Sequence, residues 1–129
     1  MNDSSADKGS PRVDRDAVRE RLAAERAGTH TQIAALSSDF ESIVEANALV
    51  AVDDEHDPEG SSTAFERAHV AALLARARDH LTDLDQALKR LELGDYGRCE
   101  VCGEPIPVER LEVRPATRVC VRCAAARAR

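Results

Sequence analysis

Apolar residues return at alternating gaps of three and four along two long stretches of this chain. In the first, Ile33, Leu36, Phe40, Ile43 and Val50 share the spacing with one polar residue, Asn47; in the second, Val70, Leu74, Ala77, Leu81, Leu84, Leu88 and Leu91 follow it unbroken. Such spacing keeps one stripe of a helix turned toward a partner, so each stretch predicts an amphipathic helix with a coiled-coil seam. Ser10-Pro11 predicts the start of the first helix, an N-cap followed by proline where the missing N–H costs nothing. From there to about Val52 only Gly28 weakens the pattern. Residues 53–62 then read as a turn, because Pro58 and Gly60 interrupt the periodicity, and Ser61 or Ser62 is placed to cap the second helix. That helix is expected to run to about Leu93, where Gly94 stops it.

Two seams joined by a ten-residue loop predict an antiparallel helical hairpin. With the chain reversal centred near Asp57, Phe40 would face Leu74, Ile33 would face Leu81 and Leu22 would face Leu91. At 1.5 Å per residue the second helix extends ~48 Å, which would hold the turn far from the C-terminal segment. Composition supports helices over a globular core: 129 residues include two phenylalanines, one tyrosine and no tryptophan, against a wealth of alanine, leucine, arginine and glutamate. Residues 1–10 are polar and aperiodic, the pattern of a disordered tail. No apolar run approaches the ~20 residues of a membrane span, and no apolar signal segment opens the chain, so a soluble, cytoplasmic protein is expected.

The net charge of −6 is unevenly placed. Residues 1–26 carry six acids and six bases, residues 67–129 nine acids and twelve bases, and residues 27–66 nine acids with no lysine or arginine. All the net negative charge therefore arises around the predicted turn, which would repel phosphate and makes a poor nucleic-acid contact. The same acids could simply form a solvated face. Their confinement to one end, without a compensating lysine, favours a functional role.

Beyond Gly94 the chemistry changes. Cys99/Cys102 and Cys120/Cys123 are two Cys-x2-Cys pairs separated by 17 residues, with no histidine between them. Zinc takes four tetrahedral ligands in a structural site, and a two-residue gap lets both sulfurs of one knuckle reach the same ion. A catalytic zinc would keep a position open for water; four thiolates predict one closed, structural zinc instead. Two disulfides or four unrelated thiols are the alternatives, disfavoured by the regular spacing and the lack of a secretory signal.

The stretch Gly94-Asp-Tyr-Gly-Arg-Cys99-Glu-Val-Cys102-Gly-Glu-Pro-Ile106, followed by Arg110-Leu111-Glu-Val-Arg-Pro115 and Cys120-Val-Arg-Cys123, resembles the zinc finger of the DksA/TraR family of bacterial transcription regulators. The finger covers about thirty residues, and the hairpin ahead of it is similar to the family in architecture. The resemblance implies a protein that binds RNA polymerase rather than DNA, with its coiled-coil tip entering the secondary channel toward the catalytic magnesium. It also implies modulation of initiation, often together with the alarmone ppGpp of the stringent response. The family's tip carries two aspartates three apart, usually followed closely by Arg-Ala. Here Asp54-Glu-His-Asp57 keeps the spacing but continues Pro58-Glu59-Gly60, so Asp53, Asp54 and Asp57 are all candidate tip residues. Arg76, Arg78, Lys89 and Arg127 are available for ppGpp, although no motif fixes that match.

Two other classes stay open on the residues alone. A zinc-stabilised nucleic-acid-binding protein is one, but residues 94–129 hold seven arginines against five acids and no stacking aromatic beyond Tyr96. A coiled-coil adaptor for another protein is the second. Nothing resembles an enzyme: there is no glycine-rich phosphate loop, no nucleophile beside a base and no open metal position. The expectation is an all-α protein with three parts: a tail at 1–10, an antiparallel coiled-coil hairpin at 11–93 with its acidic tip at 53–62, and a four-cysteine zinc finger with a short C-terminal helix at 94–129. It is expected to act as a monomer, because the hairpin satisfies its own seam, without sequence-specific DNA binding or a membrane.

Overall fold

The computed structural model of the chain describes residues 14–53 and 58–127, with side chains for 14–49 and 62–127. Four helices follow in order: α1 (Arg15–Asp53), α2 (Pro58–Leu93), α3 (Val108–Val113) and α4 (Val121–Arg127). Among the described residues no strand forms, and the one antiparallel backbone bridge joins Arg98 and Pro105. The chain is all-α, with the two long helices as its antiparallel hairpin. No helix among the described residues is long and apolar enough to cross a membrane.

The expected tail at 1–10 and the Ser10-Pro11 cap lie outside the described residues. The cap seen is Asp14: its carboxylate accepts the N–H of Ala17 at 3.2 Å, and its carbonyl accepts that of Val18 at 3.0 Å. A side-chain acceptor here satisfies an amide that has no partner within the helix. The second helix differs from expectation at its start. It begins at Pro58, not after Ser61 or Ser62, so Gly60, Ser61 and Ser62 are helical and only four residues separate α1 from α2. Proline breaks a helix only in its interior; at the first position its fixed φ suits the helix and no hydrogen bond is lost.

At its other end α2 stops as expected. Gly94 has φ +87°, its N–H reaches the Leu91 carbonyl at 3.3 Å, and the Asp95 N–H reaches the Arg90 carbonyl at 2.9 Å. This pair of bonds, closed by a left-handed residue, is a Schellman cap, and it satisfies two carbonyls of the last turn.

The described residues group into two compact units, one made of those within 27–82 and one of 14–26 with 83–127. In the first, α2 buries Val70, Leu74 and Ala77, and Leu81 is half-buried, as its seam predicts. From α1, Ile33, Leu36, Phe40, Ile43 and Asn47 are half-buried. A seam covered by a single partner helix keeps one flank open. Thr29, on the same spacing, is 95% buried and is the more enclosed polar seam residue.

In the second unit Leu22, Leu84 and Ala87 are fully buried together, with Ala116 beside them and Val18, Leu88 and Tyr96 packed around them. Leu91, the expected partner of Leu22, is not in this cluster. Because α2 begins earlier than expected, the reversal is centred closer to the N-terminus, and the partners of Leu22 move toward the turn. Arg15 donates to the Leu91 carbonyl at 2.8 Å, and Arg26 pairs with Asp85.

Candidate metal centre

The C-terminal segment has too few apolar residues for an independent core. Its buried cluster is Cys99, Ile106, Leu111, Cys120 and Cys123, with Tyr96 and Val119 packed against it, so three of the five members are sulfur-bearing. The first knuckle is a tight backbone turn: Gly103 N–H bonds the Cys99 carbonyl at 2.9 Å, Cys99 N–H the Glu104 carbonyl at 2.8 Å and Ile106 N–H the Gly97 carbonyl at 2.7 Å. Arg98 adds a bond to the Gly103 carbonyl at 2.8 Å. The second knuckle opens α4, where Ala124 N–H bonds the Cys120 carbonyl at 2.9 Å. Glu100 N–H joins the knuckles through the Arg118 carbonyl at 2.9 Å, and the two side chains form an ion pair at 3.5 Å.

These turns bring all four sulfurs within 4.8 Å of one another, and Cys102 Sγ lies 3.9 Å from Cys120 Sγ. Zinc–sulfur bonds of ~2.3 Å in a tetrahedron give sulfur–sulfur edges of about 3.8 Å, whereas a disulfide needs about 2.05 Å. All four cysteines are free, and Cys102 is the exposed one. The donor set fits one structural zinc and leaves no position open.

The electrostatics without an ion point the same way. Hydrogen bonding from the backbone N–H of Cys102, with further help from the amides of Cys120 and Val101, pulls the Cys99 thiol down to about 6 against the opposing effect of burial. Cys120 is lowered chiefly by the Cys123 amide. Cys123 is pushed up to about 12 by its hydrogen bond to Cys120 and by burial. Four sulfurs this close cannot all ionise alone; a dication removes the conflict. The Arg122 guanidinium is raised by its hydrogen bond to Cys102 and by attraction to Cys102, Cys120 and Cys123.

Tyr96 joins this centre to the helical base. It packs against both buried clusters, and its hydroxyl donates to the Pro115 carbonyl at 2.7 Å. A half-open cleft of about 230 Å³ lies beside it, lined by Ala17, Val18, Arg21, Leu111 and Pro115 among others. It is smaller than the usual ligand pocket of ~300–1,000 Å³. Arg21 crosses it to donate to the Glu112 carbonyl.

Spacing located the four cysteines, and Tyr96, the one aromatic of the C-terminal segment, packs against them. Periodicity does not single out Arg90, Arg110 and Thr117, which hold the loop before Cys120; Arg110 alone has a sequence signal, in the Arg110-Leu111 pair. Of the tip candidates, Asp53 is the last residue of α1, while its side chain, Asp54 and Asp57 lie outside the described residues.

Residues 94–128 match the family model described as the prokaryotic dksA/traR C4-type zinc finger. The uncharacterized protein YteA of Bacillus subtilis is 44% identical over 62 residues, 48% of this chain and 26% of that protein. The RNA polymerase-binding transcription factor DksA of Caulobacter vibrioides is 43% identical over 61 residues, 47% of this chain and 43% of that protein. The matches span less than half the length of these curated relatives. Among solved structures, transcription factor DksA2 from Pseudomonas aeruginosa superposes with a TM-score of 0.70 at 26% identity, over 88% of this chain and 81% of that one.

Proposed function

We propose that this chain, a member of the DksA/TraR family, binds RNA polymerase and regulates transcription. The observation that carries the reading is the likeness to transcription factor DksA2 over 88% of the chain, which takes in the hairpin as well as the finger. In this reading the ligands of one structural zinc are Cys99, Cys102, Cys120 and Cys123, and the finger orients the base of the hairpin. The hairpin enters the secondary channel tip first, and Asp53, Asp54 and Asp57 act near the polymerase's catalytic magnesium. The protein works in the cytoplasm, as a monomer and without catalysis of its own. Arg76, Arg78, Lys89 and Arg127 are exposed and could receive ppGpp.

Direct nucleic-acid binding by the finger is the weaker reading, for a specific reason. Arg98, Arg110 and Arg118 bond carbonyls or an acid within the finger, and Arg90 bonds the Thr117 carbonyl, so these guanidiniums are committed internally. The test is capture of purified RNA polymerase core enzyme by the zinc-loaded chain, beside a duplex DNA of mixed sequence. Retention of polymerase without DNA is expected. Retention of DNA alone would replace the reading with the nucleic-acid one.

A further inference from the structure

The residues between Pro115 and Cys120 belong to no helix, yet they must deliver a buried sulfur to a fixed point. Two backbone bonds hold this loop: Thr117 N–H to the Arg114 carbonyl at 3.1 Å, and Glu100 N–H to the Arg118 carbonyl at 2.9 Å. The rest comes from side chains. Arg110 Nε donates to the Val119 carbonyl at 3.0 Å, and its Nη2 makes a longer contact of 3.4 Å to Thr117 Oγ1. The Thr117 hydroxyl itself donates to the Val119 carbonyl at 3.1 Å, and Arg90, from the last turn of α2, reaches the Thr117 carbonyl at 3.4 Å. The carbonyl immediately before Cys120 is thus bound twice. Arg110 is fixed in turn, because Leu111 beside it on α3 is buried in the cysteine cluster.

We propose that Arg110 is a positioning residue for the metal, its guanidinium fixing the 117–119 loop so that Cys120 is presented in ligand geometry before the ion arrives. The competing account is charge alone: four thiolates on one zinc leave two negative charges, which any nearby cation would offset. The two accounts differ in what lysine can do. A planar fork reaches a carbonyl and a hydroxyl together; a flexible ammonium supplies the charge without that geometry. Groups that orient metal ligands from outside typically change metal affinity about 10- to 100-fold when removed.

The experiment measures zinc affinity of the full chain by competition with a chromophoric chelator, and records the Co(II) absorption of the same proteins as a report on tetrahedral sulfur geometry. Arg110→Lys and Arg110→Gln are both expected to bind zinc about 10- to 100-fold more weakly, with altered Co(II) bands and unchanged hairpin helicity. Lysine restoring parental affinity where glutamine fails would establish charge and overturn the proposal. So would parental affinity in both variants. If the Arg110 variants lose helicity, Thr117→Val decides, since it removes the second bond to the Val119 carbonyl: weaker zinc binding supports the proposal, and unchanged binding overturns it. The inference rests on the zinc reading, and the two fail separately. A parent chain that binds no zinc removes that reading, whereas variants equal to a zinc-binding parent remove only the role of Arg110.

Discussion

Gly28 and Gly94 are the same residue under opposite constraints. Gly28 lies within α1, where an added Cβ would meet nothing within 4 Å, so Gly28→Ala is expected to stabilise the chain by about 0.5–1 kcal/mol by restricting the unfolded chain. Gly94 also has open space around it, but its φ of +87° closes the Schellman cap; Gly94→Ala is expected to cost about 1 kcal/mol. Thermal melts of the two variants check both signs, and equal effects would mean that side-chain space, not backbone conformation, governs these sites. Tyr96 makes a prediction about pH. Burial raises its phenol above the usual value of 10.0, against the lowering influence of Arg21 and Arg90. The folded chain therefore holds that proton more tightly than the unfolded one, so the contribution is fully present below pH 10.0 and declines as pH rises through the folded value. Tyr96→Phe should flatten that alkaline loss in melts recorded across the range; an unchanged slope would assign it to other groups.

At the level of the element, the finger's order depends on its ion, because three of its five core residues are cysteines. Chelation, or Cys123→Ser, is expected to remove exchange protection from the amides of Cys99, Gly103 and Ile106 while most α1 and α2 helicity remains. Retained protection after complete zinc removal would contradict this. Backbone hydrogen bonding holds the Cys99 thiol down and the bond to Cys120 holds the Cys123 thiol up, so zinc loading is expected to displace at least the Cys123 proton. Proton release on binding, read from the buffer dependence of calorimetric enthalpies, should accompany loading, and affinity should fall as pH is lowered. The cysteines and the α2 seam were legible because each is a spacing rule that local chemistry enforces. The start of α2 was not, since Pro58 and Gly60 read equally as a turn and as a helix opening. The partners of Leu22 shifted with it. Arg110, Tyr96 and Thr117 act on carbonyls of a distant loop, and no periodicity in the sequence encodes such contacts.

For the molecule as a whole, the decisive quantity is where its charge sits: residues 27–66 hold nine acids and no lysine or arginine, while the flanking segments together are net basic. If that acidity acts on polymerase, Asp54→Asn with Asp57→Asn keeps side-chain size and removes two charges. The double variant should retain polymerase binding and lose its effect on promoter-complex lifetime, measured with both proteins at saturation. Unchanged regulation would leave the acids a solubilising role, and joint loss of binding and effect would make them anchors. The place of Tyr96 has a practical consequence on the same scale. The chain has no tryptophan and no second tyrosine, so light too long in wavelength to excite Phe40 and Phe65 draws emission only from the one ring wedged between the sulfur cluster and the helical base. Its hydroxyl is tied to the Pro115 carbonyl. The untouched protein thus carries its own optical gauge, in which a shift in tyrosine intensity or lifetime during metal exchange signals that the seat between finger and helices has moved, without any label attached.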